Sequence, residues 1–189
     1  MKRLFVAVKI IPSDSFLEVY EHMMDAFQYD KISWANPDNV HITIKFLGDT
    51  KEENINRINE VLENCAKEID PFDIHIENVG IFGSSYDPKV IWLGIKENNA
   101  LLDLSENILN GLDLIGFKRD RQNFRPHLTV GRIKKVSNKK DFQKSINHFK
   151  GLKIQSSRID SFALYESILK QTGAEHLAIK RFPLIANDS

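Results

Sequence analysis

Apolar residues along this chain follow two spacings, one typical of strands and one typical of helices. Alternating or continuous apolar runs predict seven strands, at 3–11, 41–47, 72–82, 89–95, 127–134, 152–169 and 174–182. Apolar stripes at helical spacing predict four helices, two behind the capping boxes Ser15-x-x-Glu18 and Thr50-x-x-Glu53 and two over 101–115 and 142–149. Strands and helices therefore alternate through the chain, as in mixed α/β or α+β proteins.

The predicted elements repeat after a shift of 86 positions. Strand, helix, strand, helix, strand occurs over 1–86 and again over 87–172, and one more strand follows at 173–183. Few residues are identical between the halves, so the pattern is repeated rather than the sequence. We therefore expect an α+β fold over 1–189, a single bilobal domain. Its two pseudo-symmetric lobes, each a mainly antiparallel sheet with helices on its outer face, should face each other across a central cleft.

The tripeptide His-x-Thr stands at the same place in both halves, as His41-Ile42-Thr43 and His127-Leu128-Thr129. Residues i and i+2 of a strand point to one face. Each motif therefore projects an imidazole and a hydroxyl together from one side of a sheet. One such tripeptide occurs by chance in many chains, but its repetition in register predicts that the four side chains share the cleft.

These side chains suit the chemistry of a phosphodiester. Two imidazoles on opposite sides of phosphorus could act as general acid and general base, because their unperturbed pKa lies near neutrality. Thr43 and Thr129 could donate hydrogen bonds to nonbridging oxygens. Lys45 shares the strand parity of Thr43, which predicts a positive charge in the cleft. Arg132 lies at odd spacing from Thr129 and would point away, unless Gly131 marks a bulge that turns it toward the phosphate.

Other features narrow the class of protein. Histidines at metal-ligand spacing and cysteine pairs are lacking, which favours a site without metal or cofactor. The lone cysteine, Cys65, falls on the apolar face of a predicted helix, so we expect a buried thiol in a reducing compartment. The apolar run 4–8 resembles a signal peptide but stops at Lys9, which favours a buried first strand and a cytoplasmic protein. No run approaches the roughly 20 apolar residues of a membrane span.

Charge is balanced overall but uneven along the chain. The 26 Lys and Arg equal the 26 Asp and Glu, yet nine basic residues and one acid lie between Lys118 and Lys140, around the second motif. A solvated basic face and a surface for nucleic acid both explain this stretch.

Longer segments around the two motifs resemble the 2H phosphoesterase superfamily, and within it the RNA 2′,3′-cyclic phosphodiesterase branch, also called the 2′-5′ RNA ligase family. The resemblance covers nearly the whole chain in order. The family usually has Tyr near the position of His176, a departure that concerns a substrate contact rather than the chemistry. The matching segments are Leu4-Phe5-Val6-Ala7, Asn39-Val40-His41-Ile42-Thr43-Ile44-Lys45-Phe46-Leu47-Gly48, Val79-Gly80-Ile81-Phe82-Gly83, Val90-Ile91-Trp92-Leu93-Gly94, Pro126-His127-Leu128-Thr129-Val130-Gly131-Arg132 and Leu164-Tyr165-Glu166-Ser167.

This resemblance implies hydrolysis of terminal RNA 2′,3′-cyclic phosphates to 2′-phosphomonoesters, without metal or cofactor. His41 would be the proton donor to the 3′-oxygen and His127 the proton acceptor that activates water, although the residues alone do not decide between the two roles. The same residues would allow the reverse 2′-5′ joining of RNA ends. The implied partner is RNA with a cyclic phosphate end, for which tRNA fragments are one candidate, and we expect a monomer.

Nucleic-acid contact then becomes the preferred interpretation of the basic stretch. Phe5 or Phe82 would stack on a base, with core packing as the alternative for each. Two other functions stay open, a phosphodiesterase for small cyclic nucleotides or 2′-5′ oligoadenylates and a noncatalytic nucleotide-binding module. The residues expected to attract RNA phosphates are Arg121, Arg125, Lys134 and Lys135.

Overall fold

The computed structural model describes residues 1–120, 124–170 and 173–185. Every strand pair in that part of the chain is antiparallel. The fold is therefore α+β, as predicted. The elements are β1 (Lys2–Lys9), α1 (Asp14–Ala26), β2 (Lys31–Trp34), β3 (His41–Thr50), α2 (Ile55–Lys67), β4 (Phe72–Gly83), β5 (Pro88–Ile95), α3 (Asn99–Leu114), β6 (His127–Lys135), α4 (Lys139–His148), β7 (Lys153–Ile159), β8 (Ser161–Lys170) and β9 (Gly173–Pro183).

The strands differ from the sequence prediction in two places. The run 152–169 forms two strands, β7 and β8, separated at Asp160, whose carbonyl accepts a hydrogen bond from the Leu184 N–H. β7 pairs with β4 and β8 pairs with β1, so one apolar run supplies two distant parts of the sheet. β2 was not predicted, because four residues are too few for a periodic signal.

Both predicted capping boxes are wrong. α1 is capped by Ser13, whose hydroxyl accepts the Phe16 N–H at 3.2 Å, while the Ser15 hydroxyl donates to a carbonyl of β7. α2 begins only at Ile55, and Thr50 is still part of β3. A tertiary contact in one case and a continuing strand in the other displace the caps that the local pattern predicts.

The sheet is built from two arrays of four strands, which we call the first lobe (β9-β8-β1-β3) and the second lobe (β6-β5-β4-β7). A single residue pair, Ile42 of β3 and Leu128 of β6, joins them. β2 extends the second lobe by pairing with 131–135 of β6. α2 packs on β9 and α1 on β7, which places one helix against the outermost strand of each array. The joining pair thus has four strands on either side of it in the strand order of the sheet.

The two lobes do not coincide with the two halves of the chain. A shift of 86 positions matches β1 to β5, β3 to β6 and β4 to β8. Nevertheless β4 lies beside β5 in the second lobe, and β8 lies beside β1 in the first. The third strand of each repeat has crossed to the other lobe, so each lobe needs strands from both halves.

The buried residues support the strand assignments. Every residue from Leu4 to Val8 is at most 1% exposed, so β1 is covered on both faces, and the predicted buried first strand is confirmed.

Cys65 is a buried free thiol, as predicted, and burial raises its pKa to about 11. Among the described residues, no helix is both long and apolar enough to cross a membrane.

Candidate active site

The two His-x-Thr motifs meet at the joint between the lobes. In an antiparallel pair, the residues flanking the joining pair lie opposite one another, so His41 faces Thr129 and Thr43 faces His127. Opposite residues also point to the same side of the sheet. All four side chains line one cleft, with a volume of about 1730 Å³.

Both imidazoles are held in the same way. Nδ1 of His41 lies 2.7 Å from the carbonyl oxygen of Asn39, and Nδ1 of His127 lies 2.7 Å from that of Arg125. A carbonyl oxygen can only accept, so Nδ1 carries a hydrogen in each ring. Nε2 is therefore the atom that gains or loses the exchangeable proton in both histidines.

The electrostatics of the cleft disfavour a positive charge on His41. Burial lowers the pKa of His41 below its usual value, and the hydrogen bond to the Asn39 carbonyl partly opposes this effect. Positive charge on His176 or His127 lowers the pKa of His41 further. The charged form of His41 is therefore disfavoured in the free protein.

The hydroxyls complete the symmetric part of the site. Thr43 and Thr129 are half-buried on the cleft face, one on each strand of the joint, where they can donate to an oxyanion held between the lobes. Within residues 1–120, 124–170 and 173–185, no group of three or more His, Cys, Asp or Glu side chains is placed to hold a metal ion.

The prediction that Lys45 adds charge to the cleft is wrong. β3 carries an extra residue, Ile44, relative to β1, so that Lys45 pairs with Val6. Such a bulge reverses the alternation of side chains. Lys45 is consequently turned away from the motif and is 5% exposed. Its ammonium group donates to the Lys118 carbonyl at 2.7 Å and to the Asp120 carboxylate at 3.0 Å.

The same bulge brings Phe46 to the cleft, a residue that sequence reasoning missed. Phe46 is 60% exposed, and its ring centroid lies 5.8 Å from that of the buried Phe5. Strict alternation turns Phe46 away from the motif. The available signal was the internal repeat, because a shift of 86 positions aligns Phe46 with Arg132.

β6 has the matching bulge. Val130 is the extra residue, opposite the step Ile91–Trp92 of β5, immediately before Gly131. Arg132 is thereby turned to the cleft and lines it. The bulge that the sequence allowed beside Gly131 is therefore present, and Arg132 and Phe46 occupy equivalent positions on the two lobes.

The two phenylalanines predicted to stack on a base have different surroundings. Phe5 is 1% exposed and its ring centroid lies 5.1 Å from that of His41 and 4.9 Å from that of His176, which supports the core-packing alternative. Phe82 is half-buried, lines the cleft, and lies edge-on to His127 at 4.8 Å. Each imidazole thus packs on one phenylalanine, and only the second of these leaves a surface for a ligand.

The remaining predicted contacts are placed as follows. The side chain of Arg125 is exposed and lines a smaller cavity of about 380 Å³, while its carbonyl holds His127. Arg121 lies outside the described residues.

His176 of β9 lines the cleft, edge-on to His41 with ring centroids 5.1 Å apart. Its Nδ1 is buried without a hydrogen-bond partner in the described part of the chain, and burial lowers the pKa of this imidazole.

A curled antiparallel sheet with a His-x-Thr motif on each side of its joint defines a two-histidine phosphoesterase. A family model described as the 2′-5′ RNA ligase superfamily matches residues 11–169. The chain belongs to this superfamily.

Curated relatives agree with this assignment. The RNA 2′,3′-cyclic phosphodiesterase of Methanocaldococcus jannaschii is 33% identical over 180 residues, which is 95% of this chain and 99% of that protein. The protein of the same name from Archaeoglobus fulgidus is 32% identical over 181 residues, again 95% and 99% of the two chains.

Solved structures share the fold. TT0787 of Thermus thermophilus superimposes with a TM-score of 0.75 at 22% identity, covering 96% of this chain and 97% of that one. Escherichia coli LigT, complexed with 3′-AMP, superimposes with a TM-score of 0.74 at 20% identity, covering 98% and 99%.

Proposed function

We propose that this protein hydrolyses RNA 2′,3′-cyclic phosphate ends to 2′-phosphomonoesters by acid–base catalysis between two histidines, without a metal ion. The observation that carries this proposal is the pair of imidazoles at the joint, both with Nδ1 fixed by a carbonyl and Nε2 left to exchange protons. The names of the curated relatives support the choice of substrate.

The reaction follows from the arrangement. The cyclic phosphate lies between the lobes, where Thr43 and Thr129 donate to its nonbridging oxygens and Arg132 supplies positive charge. Nε2 of His127 takes a proton from water as the water oxygen bonds to phosphorus. The bond from phosphorus to the 3′-oxygen breaks, and Nε2 of His41 gives that oxygen its proton. The products are a 2′-phosphomonoester and a free 3′-hydroxyl, and proton exchange with solvent restores both rings.

The role given to His41 has a physical consequence. A lowered pKa makes its protonated form a stronger acid, although a smaller fraction is protonated in the free protein. The negative charge of a bound phosphodiester raises that pKa again, because an opposite charge nearby favours the imidazolium. Substrate binding would thus charge the donor at the moment it is needed.

The terminal nucleoside extends toward the aromatic side of the cleft. Phe46 is exposed on the first lobe and offers a face for base stacking, and Phe82 offers a second apolar surface beside His127. Both contacts accept any base, since stacking does not read hydrogen-bonding edges. The joining of RNA ends through a 2′-5′ bond is the same chemistry in reverse, with a ribose hydroxyl in place of water.

The test is product analysis with EDTA present. An RNA ending in a 2′,3′-cyclic phosphate should yield only the 2′-phosphomonoester, and the rate should be unchanged by EDTA. 2′-5′ oligoadenylate and 2′,3′-cyclic mononucleotides are assayed beside it. Faster turnover of 2′-5′ oligoadenylate than of the RNA end, or a 3′-phosphate product, would reject the proposal.

A further inference from the structure

The cleft face of the second lobe continues beyond Arg132 into a group of lysines. Ser33 of β2 pairs with Arg132, and two residues further along Lys31 pairs with Lys135. From Thr129 to Lys135 the partner strands advance by four residues, which is roughly 13 Å at about 3.3 Å per residue. The group, which we call the basic arm, consists of the exposed residues Lys31, Lys134, Lys135, Lys139 and Lys140.

The start of α4 is tied to this surface. The N–H of Ser137 donates to the Asp30 carboxylate at 2.7 Å, and its hydroxyl donates to the Tyr29 carbonyl, which anchors the β6–α4 turn beside β2. On the other side, the ammonium of Lys139 lies 5.6 Å from the ring centre of Tyr86, in the turn between β4 and β5. Lys139 and Lys140 are therefore held next to the lysines of β2 and β6.

The charges of the basic arm destabilise the folded protein. Lys31 and Lys135 are direct cross-strand neighbours, and like charges so placed repel. Lys139 and Lys140 open α4, where the helix dipole favours acidic residues instead. None of the five lysines forms an ion pair with a described residue. By contrast, two basic residues that precede the second motif are ion-paired, Arg119 with Glu106 and Lys118 with Asp113.

The arm has no counterpart on the first lobe. The positions 86 residues before Lys134 and Lys135 are Gly48 and Asp49. The excess of positive charge therefore lies on one side of an otherwise symmetric cleft, contiguous with Arg132. On the first lobe the cleft is lined by two cations, the exposed Arg3 and Lys170, and Lys170 forms an ion pair with Glu175. A polyanion that enters over the basic arm therefore meets more unpaired cations than one that enters over the first lobe.

We propose that the basic arm binds the phosphates that precede the cyclic end in an RNA strand. It would make the enzyme selective for polynucleotide ends over cyclic mononucleotides and fix the direction in which the strand leaves the cleft. This inference rests on the proposed function. Single-stranded nucleic-acid grooves commonly combine such a basic track with an aromatic stacking surface, which Phe46 provides here.

The test compares two substrates and two variants. Lys31→Glu/Lys134→Glu reverses two charges of the arm, and Lys150→Glu/Lys153→Glu makes the same net-charge change at the β7 edge, with both lysines exposed. The substrates are 2′,3′-cyclic AMP and an RNA of about 12 nucleotides with the same cyclic end. kcat/KM is measured for each between about 50 and 200 mM salt.

The arm variant should lose on the order of tenfold in kcat/KM on the RNA at low salt, and its dependence on log salt should become shallower by about 0.7 for each RNA phosphate that the arm no longer neutralises. Its activity on 2′,3′-cyclic AMP should stay within about twofold, which also shows that the variant is folded. Equal losses on both substrates, no loss on the RNA, or the same loss in the Lys150→Glu/Lys153→Glu variant would each overturn the inference. If the wild-type protein cleaves neither substrate, the proposed function fails, and the inference fails with it.

Discussion

The surroundings of His41 and His127 are alike near the rings and differ beyond them. Each Nδ1 is bonded to the carbonyl two residues earlier, and each ring packs on a phenylalanine. A bulge follows each motif at the equivalent residue. Past that bulge, the first lobe presents Phe46, whereas the second presents Arg132 and the basic arm. The first lobe also carries His176 of β9, whose ring lies edge-on to that of His41.

This difference corresponds to the asymmetry of the proposed substrate. The reaction needs two proton carriers of the same kind, and the repeated motif supplies both in matching frames. An RNA end is not symmetric, because the ribose that carries the cyclic phosphate bears the base at C1′ and the preceding chain of phosphates at C5′. The exposed Phe46 on the first lobe and the cationic contacts on the second fit that polarity, and Phe82 of β4 adds an aromatic surface beside His127 on the second lobe.

Replacing either motif histidine is expected to cause the largest loss of activity, because the two rings are the part of the site that both lobes share. His41→Ala and His127→Ala should each lower kcat on cyclic-ended RNA by about 10²–10⁴-fold, the usual contribution of one proton-transfer partner. The double variant should lose much less than the product of the two single losses, since the rings act as a unit. Product formation under single-turnover conditions measures all three.

His22→Ala is the matched control, because His22 is exposed on α1 and does not line the cleft. It should retain wild-type rates. Unchanged hydrolysis in folded His41→Ala or His127→Ala would remove the catalytic proposal. Full additivity in the double variant would contradict concerted action of the pair.

The next largest loss of activity is expected at Arg132, which lines the cleft on the second lobe where the first lobe has Phe46. Hydrogen bonds to charged groups contribute about 1.5–3 kcal/mol, so Arg132→Ala should lower kcat/KM by about 10–100-fold. The loss should be equal on 2′,3′-cyclic AMP and on RNA, because Arg132 lines the cleft rather than the arm. Arg132→Lys should recover part of the activity, since it restores the charge but not the bidentate geometry. A loss confined to long RNA would instead assign Arg132 to the arm.

The comparison of the lobes also shows what the sequence could reveal. The alternation of side chains along a strand predicted that His and Thr of each motif point to one face. The internal repeat at 86 positions predicted that the two motifs share a cleft. The residues in this cleft are His41, Thr43, His127 and Thr129. Parity failed beyond Ile44, where a bulge exchanges the faces, and so Lys45 was wrongly placed and Phe46 missed. In β6, Gly131 marked the possible bulge, but no glycine stands beside Ile44 of β3. The bulge of β3 depends on how two strands accommodate each other, which alternation within one strand does not contain.

The order of the strands in the sheet could not be predicted from the sequence either, because it depends on contacts between distant segments. The repeat predicted two lobes but not the exchange of β4 and β8 between them, which depends on pairing between distant strands. His176 is a further case. It lies on a strand far from both motifs in sequence, and only the pairing of β9 with β8, and of β8 with β1, brings it to His41.

His176 provides a finer test, through the shape of the pH profile. Positive charge on His176 lowers the pKa of His41, so His176→Gln should raise that pKa. If His41 is the proton donor, a higher pKa keeps it protonated further into the alkaline range, and normalised kcat/KM should rise there. If His41 is the acceptor, the higher pKa should only reduce the rate on the acidic side. Profiles of wild type and variant on 2′,3′-cyclic AMP distinguish the two assignments, and an unchanged shape would contradict the coupling itself.

Among the cleft and motif variants, the smallest effect on activity is expected at Lys45. This residue lies close to the first motif in sequence, but its side chain does not line the cleft. Lys45→Met keeps the length and apolar contacts of the side chain but removes the hydrogen bonds to the Lys118 carbonyl and to Asp120. The free energy of unfolding should fall by about 1–2 kcal/mol, most of it from the buried bond to the carbonyl, since Asp120 is 72% exposed and its ion pair is weakened by solvent. Urea unfolding measures this change, and kcat/KM on 2′,3′-cyclic AMP should change by no more than about threefold, well below the loss for Arg132→Ala. Unaltered stability combined with a tenfold rise in KM would instead place the Lys45 ammonium on the substrate phosphate, as unbroken strand alternation predicts and as the bulge at Ile44 argues against.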